Sequence, residues 1–356
     1  MTFTKLRKYG FGLLAASGLF LAACGNPATE APTNNDNATT QQEAPTNDNE
    51  IVFVLFPNES GSEFAGMHAD LEALIYQATG RPGRIMTTTD YTVTIQAIAE
   101  GAADLAYLGP IGYILASRQN PNVHALMTSS GPSGTLEDAV YYSFLAVREE
   151  DAHLWENGQG GFDLSLLEGE SMSFVAPTST SGFVVPGSVM ENMFDSISDF
   201  EMDLIEGGPF FSEVLFGGSH QGSAYNLLTG QSNVAAFFNM ESFFIHNDGP
   251  LNQAGMVYAV RDDAAAPLEG LRGELMRIIL SITVPNAPVI VNPEGQGGLT
   301  QTEIDAIVEL FLSDEVTNNT NFFSHPDDGV ASLFTRTDGG DERFLRVDPS
   351  FYDDLR

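Results

Sequence analysis

Short apolar runs alternate with helix-length amphipathic stretches from Ile51 onward, and this alternation leaves few architectures open. "IVFVLFP" (51–57) is rich in β-branched and aromatic residues and reads as a buried strand stopped by proline. "SEFAGMHADLEALIYQATG" (62–80) carries Phe64, Met67, Leu71, Leu74 and Ile75 at three- and four-residue steps, which predicts a helix that Gly80 closes. Strands are expected at 84–89, 103–109, 123–129 and 138–149. Helices are expected at 90–101, between Asp90 as cap and Gly101 as stop, and at 110–118. The same alternation recurs with strands at 171–177, 213–218 and 232–239 and helices at 182–194 and 221–230. One or two strands fall in 276–295, and 299–314 is the clearest helix, opened by a T-x-x-E capping box of Thr300 and Glu303. Strand–helix alternation implies a layered α/β fold. A chain of 356 residues exceeds the roughly 250–300 that one core organises, so two lobes are expected.

Ahead of Ile51 the chain has a different character. Lys5, Arg7 and Lys8 precede the apolar stretch "FGLLAASGLFLAAC", the layout of a secretory signal. Leu21-Ala22-Ala23-Cys24 resembles a lipoprotein signal box, which implies cleavage after 23 and lipid attachment at Cys24, the only cysteine. Residues 24–50 hold no apolar side chain larger than proline, so they read as a disordered tether with a reach on the order of 30 Å. No later run is long and apolar enough to span a bilayer.

The formal net charge is -34, and loss of Lys5, Arg7 and Lys8 with residues 1–23 takes it to -37. Both lysines lie in that leader. A polyanion without lysine is a poor nucleic-acid binder.

The chemistry concentrates at strand–helix corners. "APTSTSGFVVPG" (176–187) places Thr178, Ser179, Thr180 and Ser181 ahead of Gly182 at a helix start. A helix cap needs one hydroxyl, whereas four hydroxyls with free backbone N–H groups can hold an anion without a formal positive charge. Tyr91 in "TTTDY", Tyr107 in "YLGP" and His220 in "GGSHQG" occupy three comparable corners, where open α/β sheets bind ligands. No H-E-x-x-H or other metal-ligand spacing is present, and the near G-x-S-x-G around Ser219 has Gln221 where glycine belongs, so neither metal nor catalysis is expected.

"TTDYTVTIQAIAEGAADLAYLGPIGYILA", "VYYSFLAV", "PTSTSGFVVPG" and "SHQGSAYNLLTGQSNVAA", in this order, resemble the substrate-binding proteins of phosphonate and phosphite ABC importers. The resemblance implies a two-lobed α/β binding-protein fold of type II with two crossovers, 51–150 with 284–356 in one lobe and 151–283 in the other. It implies that Ser179, Thr180 and Ser181 hold a phosphorus oxyanion, with His220, Tyr91 and Tyr107 as further contacts. It also implies a monomer without cofactor that serves an ABC permease and ATPase. Two departures stand out. Leu108 occupies the place directly before glycine where some relatives carry a tyrosine. "VPNAP" (284–288) puts Ala287 where binders of aminoalkylphosphonates carry an aspartate, leaving Glu241 as the other candidate carboxylate. The second departure points away from 2-aminoethylphosphonate. Thr180→Ala is expected from sequence to weaken binding with little effect on the unliganded fold.

Overall fold

Ile51, Phe53 and Leu55 face one way along the first strand and Val52 and Val54 the other, and all five are buried. Such a strand needs cover on both faces of its sheet. In the computed structural model, which describes residues 49–355 apart from Gly207 and Pro209, it has that cover. The expected signal (1–23), Cys24 and the tether through 48 lie outside the described residues.

The chain enters a first sheet with β1 (Ile51–Leu55), β2 (Gly83–Thr87), β3 (Leu105–Tyr107) and β4 (His124–Ser129). Between them run α1 (Ala65–Thr79), α2 (Tyr91–Ala99) and α3 (Pro110–Gln119). It then crosses to a second sheet with β5 (Val140–Arg148), β6 (Ser171–Phe174), β7 (Glu213–Phe216), β8 (Val234–Phe238), β9 (Phe244–Asp248), β10 (Val257–Val260) and β11 (Leu275–Pro285). Helices α4 (Val185–Met193), α5 (Phe200–Leu204) and α6 (His220–Leu228) belong to this stretch. The chain returns with β12 (Pro288–Val291), α7 (Gln301–Phe311), α8 (Asp314–Thr317), the paired two-residue strands β13 (Phe323–Ser324) and β14 (Phe334–Thr335), and β15 (Phe344–Arg346).

The first sheet has the order β15-β4-β12-β3-β1-β2 and the second β7-β6-β8-β5-β11-β10-β9. β1 is parallel to β2 and β3, and β12 is antiparallel to both β3 and β4. β6 is parallel to β7 and β8. The two crossovers are the segments 130–139 and 286–287. The sequence expectation grouped 138–149 with the first lobe, but β5 hydrogen-bonds β8 and β11 inside the second sheet. Strand pairing is a long-range property that a local apolar run does not carry.

Several local signals operate as read. Asp90 accepts hydrogen bonds from Thr92 N at 2.7 Å and Val93 N at 3.1 Å, capping α2. Thr300 and Glu303 form both halves of the capping box. Gly80 ends α1 at φ 71°, a left-handed turn that glycine adopts without strain. The last forty residues, unread in sequence beyond a packing tail, supply β15 against β4, and the Tyr352 hydroxyl donates to the Asn286 carbonyl at 2.9 Å.

Candidate binding site

The corners after β1, β2, β3, β6 and β7 converge on one cavity of about 440 Å³ between the two sheets. Ser179, Thr180, Ser181, Tyr91, Tyr107, His220 and Glu241 all line it, and so does Ala287. Thr178, the remaining hydroxyl of the run, does not.

The hydroxyl run is a single π-type turn, Thr180–Val184, that feeds α4. Ser179 Oγ accepts from Gly182 N at 3.2 Å, which closes the turn. An alanine Cβ at Gly182 would stand 2.2 Å from Val175 Cγ2, so only glycine lets the turn lie this close to the strand end. The Ser181 carbonyl is tied to β5 by the Ser143 hydroxyl at 2.6 Å.

Thr180 reaches across to the first sheet. Its Oγ1 accepts from Ile111 N at 2.9 Å, in the first turn of α3, in a buried position. Gly109 makes room, because a Cβ there would be 2.7 Å from that oxygen. The sequence expectation of little effect on the unliganded fold therefore changes. Thr180→Val keeps the volume but strands a buried N–H, which costs about 1–3 kcal/mol. Urea melts of the two proteins in the absence of ligand measure this, and coincident midpoints would refute it.

Asn58, which sequence reasoning missed, is a second bridge between the sheets. Its Oδ1 accepts from His220 N at 3.1 Å and its carbonyl from Gln221 Nε2 at 3.0 Å, while its Nδ2 donates to the Tyr91 hydroxyl at 2.7 Å. The signal was the strand end at Pro57, the same kind of corner as those singled out.

His220 heads α6, and Ser219 caps that helix by accepting from Gly222 N at 3.0 Å. His220 Nδ1 accepts from Phe238 N at 3.1 Å, which leaves the ring proton on Nε2. Burial pushes the imidazole down to about 3, so the ring is a neutral donor.

Tyr91, Tyr107 and Tyr141 are held as phenols, because burial and the neighbouring Glu59 raise each above the ordinary tyrosine value. The Ser179 side chain lies beside Tyr91, and those of Thr180 and Ser181 beside Tyr141. Tyr141 was visible in "VYYSFLAV" but given no role, because β5 was assigned by its apolar run alone. Along β3, Leu105 and Tyr107 share one face while Ala106 and Leu108 pack on the other. Tyr107 is therefore the residue of "YLG" that faces the cavity, and Leu108 is core.

The acidic side of the cavity comprises Glu59, Asp138, Glu241 and Glu342, and among the described residues no arginine or lysine lines it. Glu241 accepts from Asn239 Nδ2 at 3.0 Å and from Thr335 Oγ1 at 3.0 Å, and burial raises its carboxyl above the usual range. Thr335 belongs to the tail, so the unread C-terminal segment builds part of the wall. Among the described residues no group of histidine, cysteine and acidic side chains is arranged to hold a metal ion, and no helix is long and apolar enough to cross a membrane.

Two α/β lobes joined by two crossovers, with hydroxyl, phenol and amide donors gathered between them, define a two-lobed periplasmic-binding-protein fold. The chain belongs to the family of periplasmic substrate-binding proteins of phosphonate ABC transporters, whose family model matches residues 53–331. A curated relative, the phosphate-import protein PhnD of Mycolicibacterium smegmatis, is 24% identical over 195 residues, covering 53% of this chain. The match spans 55% of that relative, about half its length. Two solved structures share the fold at TM-score 0.58. One is a binding protein component of an ABC phosphonate transporter from Pseudomonas aeruginosa, 18% identical, with 85% of this chain and 83% of that one covered. The other is PhnD1 of Prochlorococcus marinus in complex with methylphosphonate, 11% identical, with 87% and 96% covered.

Proposed function

We propose that the protein binds a small phosphorus oxyanion in the cleft and delivers it to an ABC permease and its ATPase. The observation that carries this reading is the convergence of Ser179, Thr180, Ser181, Tyr91, Tyr141 and His220 on one cavity that, among the described residues, no arginine or lysine lines. Neutral donors in a closed cleft hold an oxyanion tightly enough to carry and loosely enough to release. The complex of the Prochlorococcus marinus relative with methylphosphonate and the phosphate-import name of the mycobacterial one support the ligand class. In this reading the protein carries and releases its ligand without transforming it, and it works as a monomer tethered to the membrane through lipid on Cys24.

The two lobes exchange chain at 130–139 and 286–287 and hinge there. Glu241, Ala287 and the tail around Thr335 form the end of the cleft that meets the substituent on phosphorus. With Ala287 in place of a carboxylate, we favour phosphite, phosphate or a simple alkylphosphonate over 2-aminoethylphosphonate. A sensor lipoprotein of the same fold is the second reading, carried by the same site.

A thermal-shift panel of phosphite, methylphosphonate, phosphate, 2-aminoethylphosphonate and sulfate tests the ligand. A ligand present at 100 times its dissociation constant adds about 2.7 kcal/mol of stability. For a folded part of this size that is a rise of roughly 4 °C in melting temperature. No shift with any phosphorus anion would sink the ligand class. A shift confined to 2-aminoethylphosphonate would overturn the reading of Ala287.

A further inference from the structure

We propose that Glu59 is a ligand-binding residue that meets the oxyanion as a neutral carboxylic acid, donating its proton as a hydrogen bond. The inference rests on the oxyanion reading above and assigns a role to a residue that reading leaves unused.

Glu59 closes the short helical turn Pro57–Glu59 directly after β1, beside the bridging Asn58. It lines the cavity and is only 9% exposed. Its Oε2 is buried with no hydrogen-bond partner among the described residues. A buried polar atom left unpaired calls for an explanation, and a missing ligand supplies one. The turn itself is anchored by other atoms, since His68 Nε2 from α1 bonds the Glu59 carbonyl at 2.7 Å. The backbone is thus fixed, while Oε2 is left without a protein partner among the described residues.

The groups around it decide its form. Tyr91 from α2, Tyr107 from β3 and Tyr141 from β5 lie within electrostatic reach of Glu59, and they line the same cavity as the Ser179–Ser181 hydroxyls. The carboxyl therefore shares the electrostatic neighbourhood of the hydroxyl cradle. From α6 the cavity receives neutral His220 and Gln221, and the other ionisable side chains that line it are Tyr142, Asp138, Glu241 and Glu342. Among the described residues no arginine or lysine lines the cavity to stabilise a carboxylate. Burial raises Glu59 to about 8. A second negative charge beside a bound anion raises it further. A neutral acid turns that repulsion into a donated hydrogen bond, and no bond is made or broken in the ligand.

The test is calorimetric titration of phosphite into wild type and Glu59→Gln from pH 6 to 9. The amide is neutral at every pH and keeps a donor, so the ligand's own titration cancels in the ratio of the two affinities. Near pH 6 the two proteins should agree within about threefold. Above pH 8 wild type should weaken relative to the variant by about tenfold per pH unit, the affinity equivalent of one unit of proton linkage. A ratio constant across the range would overturn the proposal. So would wild type that takes 2-aminoethylphosphonate and a variant that loses it near pH 7, since Glu59 would then be a charged partner for the amine. Should the variant fail to fold, wild type alone decides. Titration at pH 8.5 in two buffers of different ionisation heat should show proton uptake on binding, and no uptake would refute the acid form. Absence of phosphite and methylphosphonate binding to wild type at every pH would overturn the oxyanion reading itself, and this contact with it.

Discussion

Gly182→Ala should lower stability by about 1–3 kcal/mol, the range for a methyl forced into a packed site. It should also reduce phosphite affinity at least about tenfold, or ~1.4 kcal/mol. The added Cβ would stand 2.2 Å from Val175 Cγ2 and 2.9 Å from Ser179 Oγ. Val175 is fully buried at the end of the β6 corner and cannot swing away. The same glycine donates its N–H to Ser179 Oγ at 3.2 Å and accepts from Val175 N at 3.1 Å. Relief of the clash therefore moves the cradle hydroxyls. Val175→Gly removes both clashing carbons, Cγ2 at 2.2 Å and Cβ at 2.5 Å, so it is expected to destabilise alone yet partly rescue the Gly182→Ala protein. A double-mutant cycle in urea should give a favourable coupling of about 0.5–3 kcal/mol. Additive effects would mean that the contact is not what keeps glycine there.

The second large effect is on pH dependence, where His220 and Glu59 act with opposite sign. His220 is depressed to about 3 in the fold, so below about pH 6.5 the unfolded chain binds a proton that the folded chain does not. Its contribution is complete above 6.5 and declines as pH falls towards 3. Glu59 is raised to about 8 from 4.5, so between those values the folded chain holds a proton that the unfolded chain has lost. Its contribution is complete below 4.5 and declines as pH rises towards 8. Between about 4.5 and 6.5 the two slopes cancel, leaving a plateau with a decline on either side. Each full slope is at most about 1.4 kcal/mol per pH unit. Unfolding free energies of wild type, His220→Gln and Glu59→Gln without ligand measure the two terms. The first variant should flatten the acid limb and the second the alkaline limb. Parallel profiles for all three proteins would remove both groups from the account.

His220→Gln carries a stability effect of its own. His220 Nδ1 accepts from Phe238 N, and a replacement that misplaces this acceptor leaves a buried N–H costing about 1–3 kcal/mol. The variant profiles are therefore compared by slope rather than by height.

Much of the fold was legible because its signals are local. The steps from Phe64 to Ile75, the Asp90 cap and the Thr300/Glu303 box each operate within one or two turns of chain, and the structure uses all three. β9 and β10 went unread. β9 lies at the edge of its sheet with His246, Asn247 and Asp248 exposed, so its sequence lacks the apolar run that marks a central strand. Gathering of Ser179–Ser181, Tyr91, Tyr107, His220 and Glu241 around one cavity followed from corner chemistry together with the family pattern. Asn58 and Glu59 did not, although the strand end at Pro57 marked their corner, and Tyr141 and Thr335 did not, since neither has a neighbour in sequence that declares its purpose.

The chain by itself determined the α/β alternation, the caps and the hydroxyl-rich corners, because hydrophobic period and cap chemistry are written within a few residues of where they act. Tertiary structure alone decided that β5 joins the second sheet, that Thr180 spends its oxygen on Ile111, and that Glu59 Oε2 stands buried without a partner among the described residues. Each depends on which distant segments meet. Burial and pairing across 69 residues from Ile111 to Thr180 are set by how the lobes pack, and no local pattern encodes that distance.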